Sequence, residues 1–398
     1  MQEKTLQQEV INMIDDMEDV TGLLKNTFVS KDEIIEMLVI CAIAQEHMLI
    51  VGPPGTAKSD IAKRFALLCS PKDGNGSGNV PYFEYLLTRF TEPNEIFGPV
   101  DIKAFQKGGG HRRITDGMLP RSEITFLDEV FKANSAILNA LLNILNERTF
   151  YNGGKAEEVP LLCAVGATNE VPEDTTLAAL FDRFLVRVWT DNVEESRFGE
   201  LYEKGWELVK RRIQAGYTLE MGNVTTTDTL RRLYNALDEV DMSQIAKDYR
   251  EVIRSIRAEG IDLSDRRVIN LMKLIAASAI RRKRLEANTG DFWVLRHVWN
   301  SPDQIPSLLR IIEPYLEGYD AEFWSPERDI ETIQGDISEL IGRKEMLGTV
   351  SDYSAFLQQS QNLRHELMGH SDEEGSAPLI EEVNGLIETA MILLEKQG

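Results

Sequence analysis

The sequence predicts an α/β fold: a parallel five-stranded sheet in the first half, then helical domains. Three observations carry this. Apolar strand-like runs alternate with helical stretches up to about residue 190. A glycine-rich loop joins one of those strands to a helix, and past Asp191 only helical periodicity continues. The strand-like runs are Met48–Val51, Tyr82–Leu87, Ile124–Leu127, Leu161–Val165 and Phe184–Trp189, with helical stretches such as Ala57–Leu68 and Asn134–Asn146 between them. Ahead of the first strand, residues 1–30 read as an amphipathic helix through Val10, Ile14 and Met17, and Asp32–Gln45 as a second.

Composition narrows the function. The 398 residues are 42% hydrophobic and 27% charged, enough for roughly two to three domains of about 100–200 residues each. The formal net charge of -22 repels a phosphate backbone and argues against a general nucleic-acid binder. No run of 18 apolar residues occurs, so no membrane span is expected. Met1–Val10 lacks the apolar core of a signal peptide, which points to the cytoplasm. Cys41, Cys69 and Cys163 lie far apart among apolar neighbours and read as buried free thiols in a reducing compartment. The basic run Arg281-Arg282-Lys283-Arg284 reads as a solvated helix end.

The glycine-rich loop is Gly52-Pro53-Pro54-Gly55-Thr56-Ala57-Lys58-Ser59. A strand before it and a helix after it are what a phosphate site needs, because loop and helix-start N–H groups then face the anion. Lys58 reaches the β- and γ-phosphates, and the Ser59 hydroxyl ligates Mg²⁺. Ala57 stands where glycine is usual.

Ile124-Thr125-Phe126-Leu127-Asp128-Glu129 is an apolar strand ending on two carboxylates. Hydrolysis of ATP needs one acid to hold Mg²⁺ and another to orient water. Asp128 suits the metal and Glu129 the water, since neighbours at a strand end point different ways. A further strand, Ala164-Val165-Gly166-Ala167-Thr168-Asn169, ends on an amide that can bond the γ-phosphate or the water.

Together with Leu180-Phe181-Asp182-Arg183-Phe184, these segments resemble the Walker A, Walker B, sensor 1 and arginine-finger segments of MoxR-family AAA+ ATPases. Ala57 belongs to that family's usual spelling. Thr88-Arg89-Phe90 through Phe97-Gly98-Pro99, and Leu138 to Arg148, resemble the RavA-like branch. The likeness is strong over residues 20–190, moderate to 312, and absent beyond.

The resemblance implies an AAA+ core over residues 1–190 and a helical lid over 191–312, and helical patterns alone mark a C-terminal extension over 313–398. The resemblance implies that Arg183 acts in trans in a neighbouring subunit's site, the alternative being a salt bridge to Asp182 in its own chain or a surface role. It also implies a sensor 2 arginine at the start of a lid helix that Ser264 would cap. Arg266 is preferred and Arg267 is the alternative. Thr88 is the candidate to restrain Glu129. Gly98–Arg121, with Gly108–Gly110 and His111-Arg112-Arg113, resembles the insert into the second helix of this clade. Thr149–Pro160, around Asn152-Gly153-Gly154, reads as a β-hairpin. Both inserts face the pore in ring-shaped relatives.

Other features carry no site. His365 and His370 are five apart on a helical pattern, about 140° around it, so they share no face for a metal. Trp293 and Trp299 read as core. Gly74–Gly78 and Ser371–Ala377 read as loops. The last helical pattern, Leu379–Lys396, has a broad apolar face that packs within the lid or docks a partner. No strand-rich segment stands in the tail, unlike RavA-like proteins. The expected function is a homo-hexameric ATPase that remodels or chaperones protein clients, with a von Willebrand factor A-domain partner implied by the family. A nucleic-acid motor and a nucleotide-gated scaffold with little turnover are the alternatives.

Overall fold

The computed structural model describes residues 6–70, 82–106, 112–172, 174, 177–215, 224–316, 330–344 and 376–395, with seven positions between 353 and 367. Gly74–Gly78, Gly108–His111, and His365 with His370 lie outside the described residues. Two helices, α1 (Gln8–Thr27) and α2 (Asp32–Ala44), precede the first strand. The strands are β1 (Met48–Val51), β2 (Tyr82–Leu86), β3 (Ile124–Asp128), β4 (Thr149–Asn152), β5 (Lys155–Glu158), β6 (Cys163–Thr168) and β7 (Val186–Trp189).

Five of them form a parallel sheet in the order β2-β3-β6-β1-β7. Strand β1 pairs Met48 with Val165 and Val186 on its two sides and is buried throughout, which its unbroken Met-Leu-Ile-Val run requires. Helix α3 (Lys58–Leu68) packs against β2 and β3, and α2 against β1 and β7. The sheet therefore matches the expected five strands, with Met48–Val51 unchanged and the other bounds moving by at most three residues.

The hairpin β4–β5 forms where expected, but its turn differs from the Asn-Gly reading. Asn152 pairs with Lys155, so Gly153 and Gly154 are the two turn residues, at φ +60° and +82°. Asn152 is buried and serves elsewhere: its Oδ1 accepts the Arg113 N–H at 2.6 Å and its Nδ2 donates to the Arg113 carbonyl at 3.2 Å. This ties the hairpin to the Gly98–Arg121 insert, which follows α4 (Pro93–Phe97) and contains α5 (Ile102–Gln106). Helices α6 (Ser135–Glu147) and α7 (Ala178–Phe181) complete the α/β part.

Beyond β7 come α8 (Phe198–Ala215), α9 (Thr227–Ala236), α10 (Ala246–Ala258), α11 (Asp265–Arg281) and α12 (Ile305–Leu316). Among the described residues past 191, the only β pairing is an isolated bridge between Asp241 and Glu286. One hydrophobic cluster runs from Met13 to Leu316, so sheet and following helices share a core. Trp293 and Trp299 are inside it, and all three cysteines are buried and free. The run Arg281–Arg284 is not a solvated end. Arg281 is buried and reaches Glu18 at 3.2 Å and Thr21 at 3.3 Å, while Arg284 meets the buried Asp291 at 2.8 Å. The charges there fasten α11 to α1 and to its own loop.

The chain divides into two compact units, Met1–Val193 with Glu200–Trp324, and Glu194–Gly199 with Ser325–Gly398. The second has its own core, where Val383, Leu386, Ile387 and Ala390 of the helix Ser376–Glu395 pack with Ile333, Ile337, Phe356 and Leu367. That apolar face is thus covered inside its own unit.

Candidate nucleotide site

In a parallel sheet every strand's carboxyl end opens on the same edge. The β1 end carries Gly52, the β3 end Asp128 and Glu129, and the β6 end Asn169. Gly52 N–H bonds the Thr168 carbonyl at 3.1 Å, and a Cβ there would lie 1.9 Å from the Thr190 oxygen, so only glycine fits. Gly55 turns at φ +84° with open space on its Cβ side. Ala57 takes φ +64° directly before α3, the left-handed conformation for which other P-loops use glycine. The Thr56 hydroxyl donates to the Pro53 carbonyl at 3.0 Å and stiffens the loop.

Lys58 is buried, and its Nζ donates to the Gly52 and Pro53 carbonyls at 2.7 and 2.8 Å. Burial lowers its pKa, opposed by the carboxylates of Asp128 and Glu129. Here is a desolvated ammonium resting on loop carbonyls at a helix start, the donor set a phosphate would engage. Ser59 is half-buried in the first turn of α3. Asp128 accepts the Glu129 N–H on Oδ1 at 3.0 Å. Glu129 has φ +51°, a strained conformation for a non-glycine residue of the kind that clusters at functional sites. Its Oε1 accepts from Asn169 Nδ2 at 2.7 Å and from Lys132 Nζ at 3.1 Å. The structure thus brings Glu129 and Asn169 together.

One expectation needs correction. The Thr88 hydroxyl meets the Thr91 hydroxyl and the Phe90 N–H, both at 3.2 Å, whereas Glu129 is held by Asn169 and Lys132. Sequence reasoning missed Lys132. A basic residue three positions after Glu129 was the available signal. The two sensor 2 candidates can be told apart. Ser264 does cap α11, accepting the Arg267 N–H at 3.3 Å. Arg267, however, is buried at 2% exposure, bonded to Val298 and Asn300 and pushed down to about 10 by burial. Asn300 Oδ1 also accepts from the buried Arg187 at 2.9 Å, so Arg267 belongs to a structural knot.

Arg266 is the more exposed of the two, but it is not at the loop edge. Its Nη2 donates to the Asp182 carbonyl at 2.9 Å and to Asp182 Oδ2 at 3.0 Å, and its Nη1 to Asn146 Oδ1. Arg183 shares the same carboxylate, Nη1 to Oδ2 at 3.4 Å. Both arginines stand at the other end of the sheet. Val186 is level with Met48, Arg183 precedes Val186, and Gly52 lies about 13 Å up the strand from Met48 at ~3.3 Å per residue.

A parallel sheet in this order, a glycine-rich loop after the interior strand β1 and a helical lid define a P-loop ATPase fold of the AAA+ class. The chain belongs to the MoxR family. Residues 15–230 match the family described as the MoxR domain in the MoxR-vWA-beta-propeller ternary systems, and residues 231–312 match the AAA lid domain. An uncharacterised Methanocaldococcus jannaschii protein is 36% identical over 289 residues, 72% of each chain. The Mycobacterium tuberculosis chaperone MoxR1 is 26% identical over 171 residues, 42% of this chain and 41% of its own. The crystal structure of a proposed ATPase from Cytophaga hutchinsonii superposes with a TM-score of 0.60 at 18% identity. It covers 79% of this chain and 97% of its own, which shows the shared fold.

Proposed function

We propose that this protein hydrolyses ATP at the subunit interfaces of a homo-oligomeric ring, most simply a hexamer, and uses the cycle to remodel protein clients. In this reading the loop Gly52–Ser59 cradles the phosphates, with Lys58 on the β- and γ-phosphates. Ser59 and Asp128 hold Mg²⁺, Glu129 orients the water, and Asn169 bonds the water or the γ-phosphate. Arg183, with Arg266 beside it, faces the nucleotide of the next subunit. The single observation that carries the reading is the separation just described: Lys58, Asp128 and Glu129 lie off one end of the sheet, Arg183 off the other. A cation there cannot serve the same chain's phosphate, and a second copy can bring one.

A von Willebrand factor A-domain protein as partner rests on the description of the matched family, and the client-remodelling role on the chaperone so named in Mycobacterium tuberculosis. The RavA-like placement rests on the Thr88–Pro99 and Leu138–Arg148 stretches. A division of the chain near residues 191 and 312 and a cytoplasmic location belong to the same proposal. Among the described residues, no helix is long and apolar enough to cross a membrane.

The test is ATPase rate per subunit against protein concentration, with Glu129→Gln and Arg183→Ala alongside. A rate that rises with concentration and collapses in both variants is expected. A flat rate that survives Arg183→Ala would mean that one chain holds the whole site, and the ring reading would fail.

A further inference from the structure

Two guanidiniums side by side repel, and burial sharpens the repulsion. Arg183 and Arg266 nonetheless converge, and the group between them is Asp182. The two are not held alike. Arg266 is tied at both ends, Nη2 on the Asp182 carbonyl and carboxylate and Nη1 on Asn146. Arg183 has one long contact of 3.4 Å to the same carboxylate, and its Nε is buried with no partner. Burial and the neighbouring Arg266 both lower the Arg183 pKa, with Asp182 opposing them.

We infer that Asp182 is a positioning residue for the next subunit's hydrolytic site, the shared anion that sets two arginines together at the subunit edge and releases one of them. This rests on the trans role proposed for Arg183. The asymmetry explains the release. When a γ-phosphate draws Arg183 away, Asp182 keeps Arg266 as its counter-charge, so no bare carboxylate is left facing the phosphate. Because Arg266 sits in the first turn of α11 and Asp182 directly after α7, the same contact also joins the lid helices to the finger. A lid that shifts with nucleotide in one subunit would then move the finger offered to its neighbour.

The experiment uses full-length protein and mixed rings. Asp182→Ala subunits are assayed alone and mixed with Glu129→Gln subunits, whose own site is dead but whose finger is intact. Alone, Asp182→Ala should lose on the order of tenfold to a hundredfold in kcat, as misplaced catalytic groups do, with little change in KM for ATP. Mixing should restore part of the rate, because an Asp182→Ala site then meets an intact Asp182–Arg183 pair. Asp182→Asn, which keeps one acceptor oxygen, should fall between the two. Turnover at or above wild type in Asp182→Ala overturns the inference. So does a loss that mixing fails to rescue while an Arg183→Ala loss is rescued. If Arg183→Ala is itself not rescued, the trans reading has failed and this inference with it. Binding of a fluorescent ATP analogue reports folding, and loss of binding in both Asp182 variants would make Asp182 an element of the fold and overturn its proposed role.

Discussion

The two ends of the sheet are built in opposite ways. At the loop end, Asp128, Glu129 and Asn169 are each delivered by the end of a strand or the residue after it, and Lys58 by the first residue of the helix that follows the β1 loop. Their chemistry is local: a short motif fixes the backbone and the backbone fixes the groups. At the other end, Asp182, Arg183, Arg266 and Asn146 come from a short helix, a lid helix and the close of α6, with 120 residues between Arg266 and Asn146. That end exists only because the lid packs on the core. A site made of strand ends tolerates lid motion, and a site made of a lid contact reports it.

The sharpest break of the comparison is to remove one end at a time. Arg183→Ala should cost about a thousandfold in turnover, the scale of arginine fingers, and leave ATP affinity of the same subunit nearly intact. Lys58→Ala should do the reverse and abolish nucleotide binding, read by titration of a fluorescent analogue. If Arg183→Ala weakens its own subunit's ATP binding as strongly as Lys58→Ala does, the two ends are one site and the comparison fails.

Legibility in the sequence followed the same division. Residues 48–59 and 124–129 could be placed from spacing alone, because an apolar run ending on glycine or acid has few other uses. Asn169 followed once the strands were counted as parallel. Lys132 was missed for a physical reason: a lysine one turn away is ordinary until the fold shows what it touches, and Asp182 was legible as a partner of Arg183 but not of Arg266, 84 residues away. Arg266 and Arg267 could not be separated by spacing. Burial separates them, since Arg267 is 2% exposed and Arg266 lies at the surface of the same helix turn. The basic run at 281–284 misled because three of its anionic partners, Asp15, Glu18 and Glu36, lie more than 240 residues away in sequence.

A smaller effect tests the lid packing on which the second end depends. Asn300 Oδ1 accepts from Arg187 and Arg267 at 2.9 and 3.0 Å, and both arginines are buried. Asn300→Ala leaves two desolvated guanidiniums short of an acceptor, so about 2 kcal/mol of stability should be lost in guanidinium unfolding. Finger-dependent turnover should fall with it. A wild-type midpoint would mean that the backbone carbonyls of Val298 and Trp299 suffice.

Acid should act on the shared core through two histidines. Burial lowers the pKa of His47 and of His297 well below the usual value, helped by Arg148 and Arg296 respectively. Each is therefore neutral when folded and takes up a proton only on unfolding. Their contribution is present above the unfolded pKa near 6.5 and is lost as pH falls through the folded values. Stability should drop below pH 6.5 by up to about 1.4 kcal/mol per pH unit for each histidine. His47 is the sharper case: its Nδ1 accepts the Ala164 N–H at 3.1 Å and its Nε2 meets the Leu145 carbonyl at 2.9 Å. His47→Gln should flatten the pH slope between 6.5 and 5, and an unchanged slope would remove His47 from the account.

The smallest expected effect lies inside the loop and bears on why its spelling is what it is. Ala57 holds φ +64°, where its Cβ crowds the backbone and costs about 1 kcal/mol relative to glycine. Glycine there would relieve that strain but would free the unfolded chain, so Ala57→Gly should raise stability by only about 0.5 kcal/mol. The alanine does something in return: it narrows the conformations of the residue that aims the α3 helix start at the phosphates. Nucleotide affinity should therefore fall slightly in Ala57→Gly even as the midpoint rises. If affinity and stability move together, the methyl group is plain strain, and the loop end of the sheet is held by its glycines and by the Lys58 contacts alone.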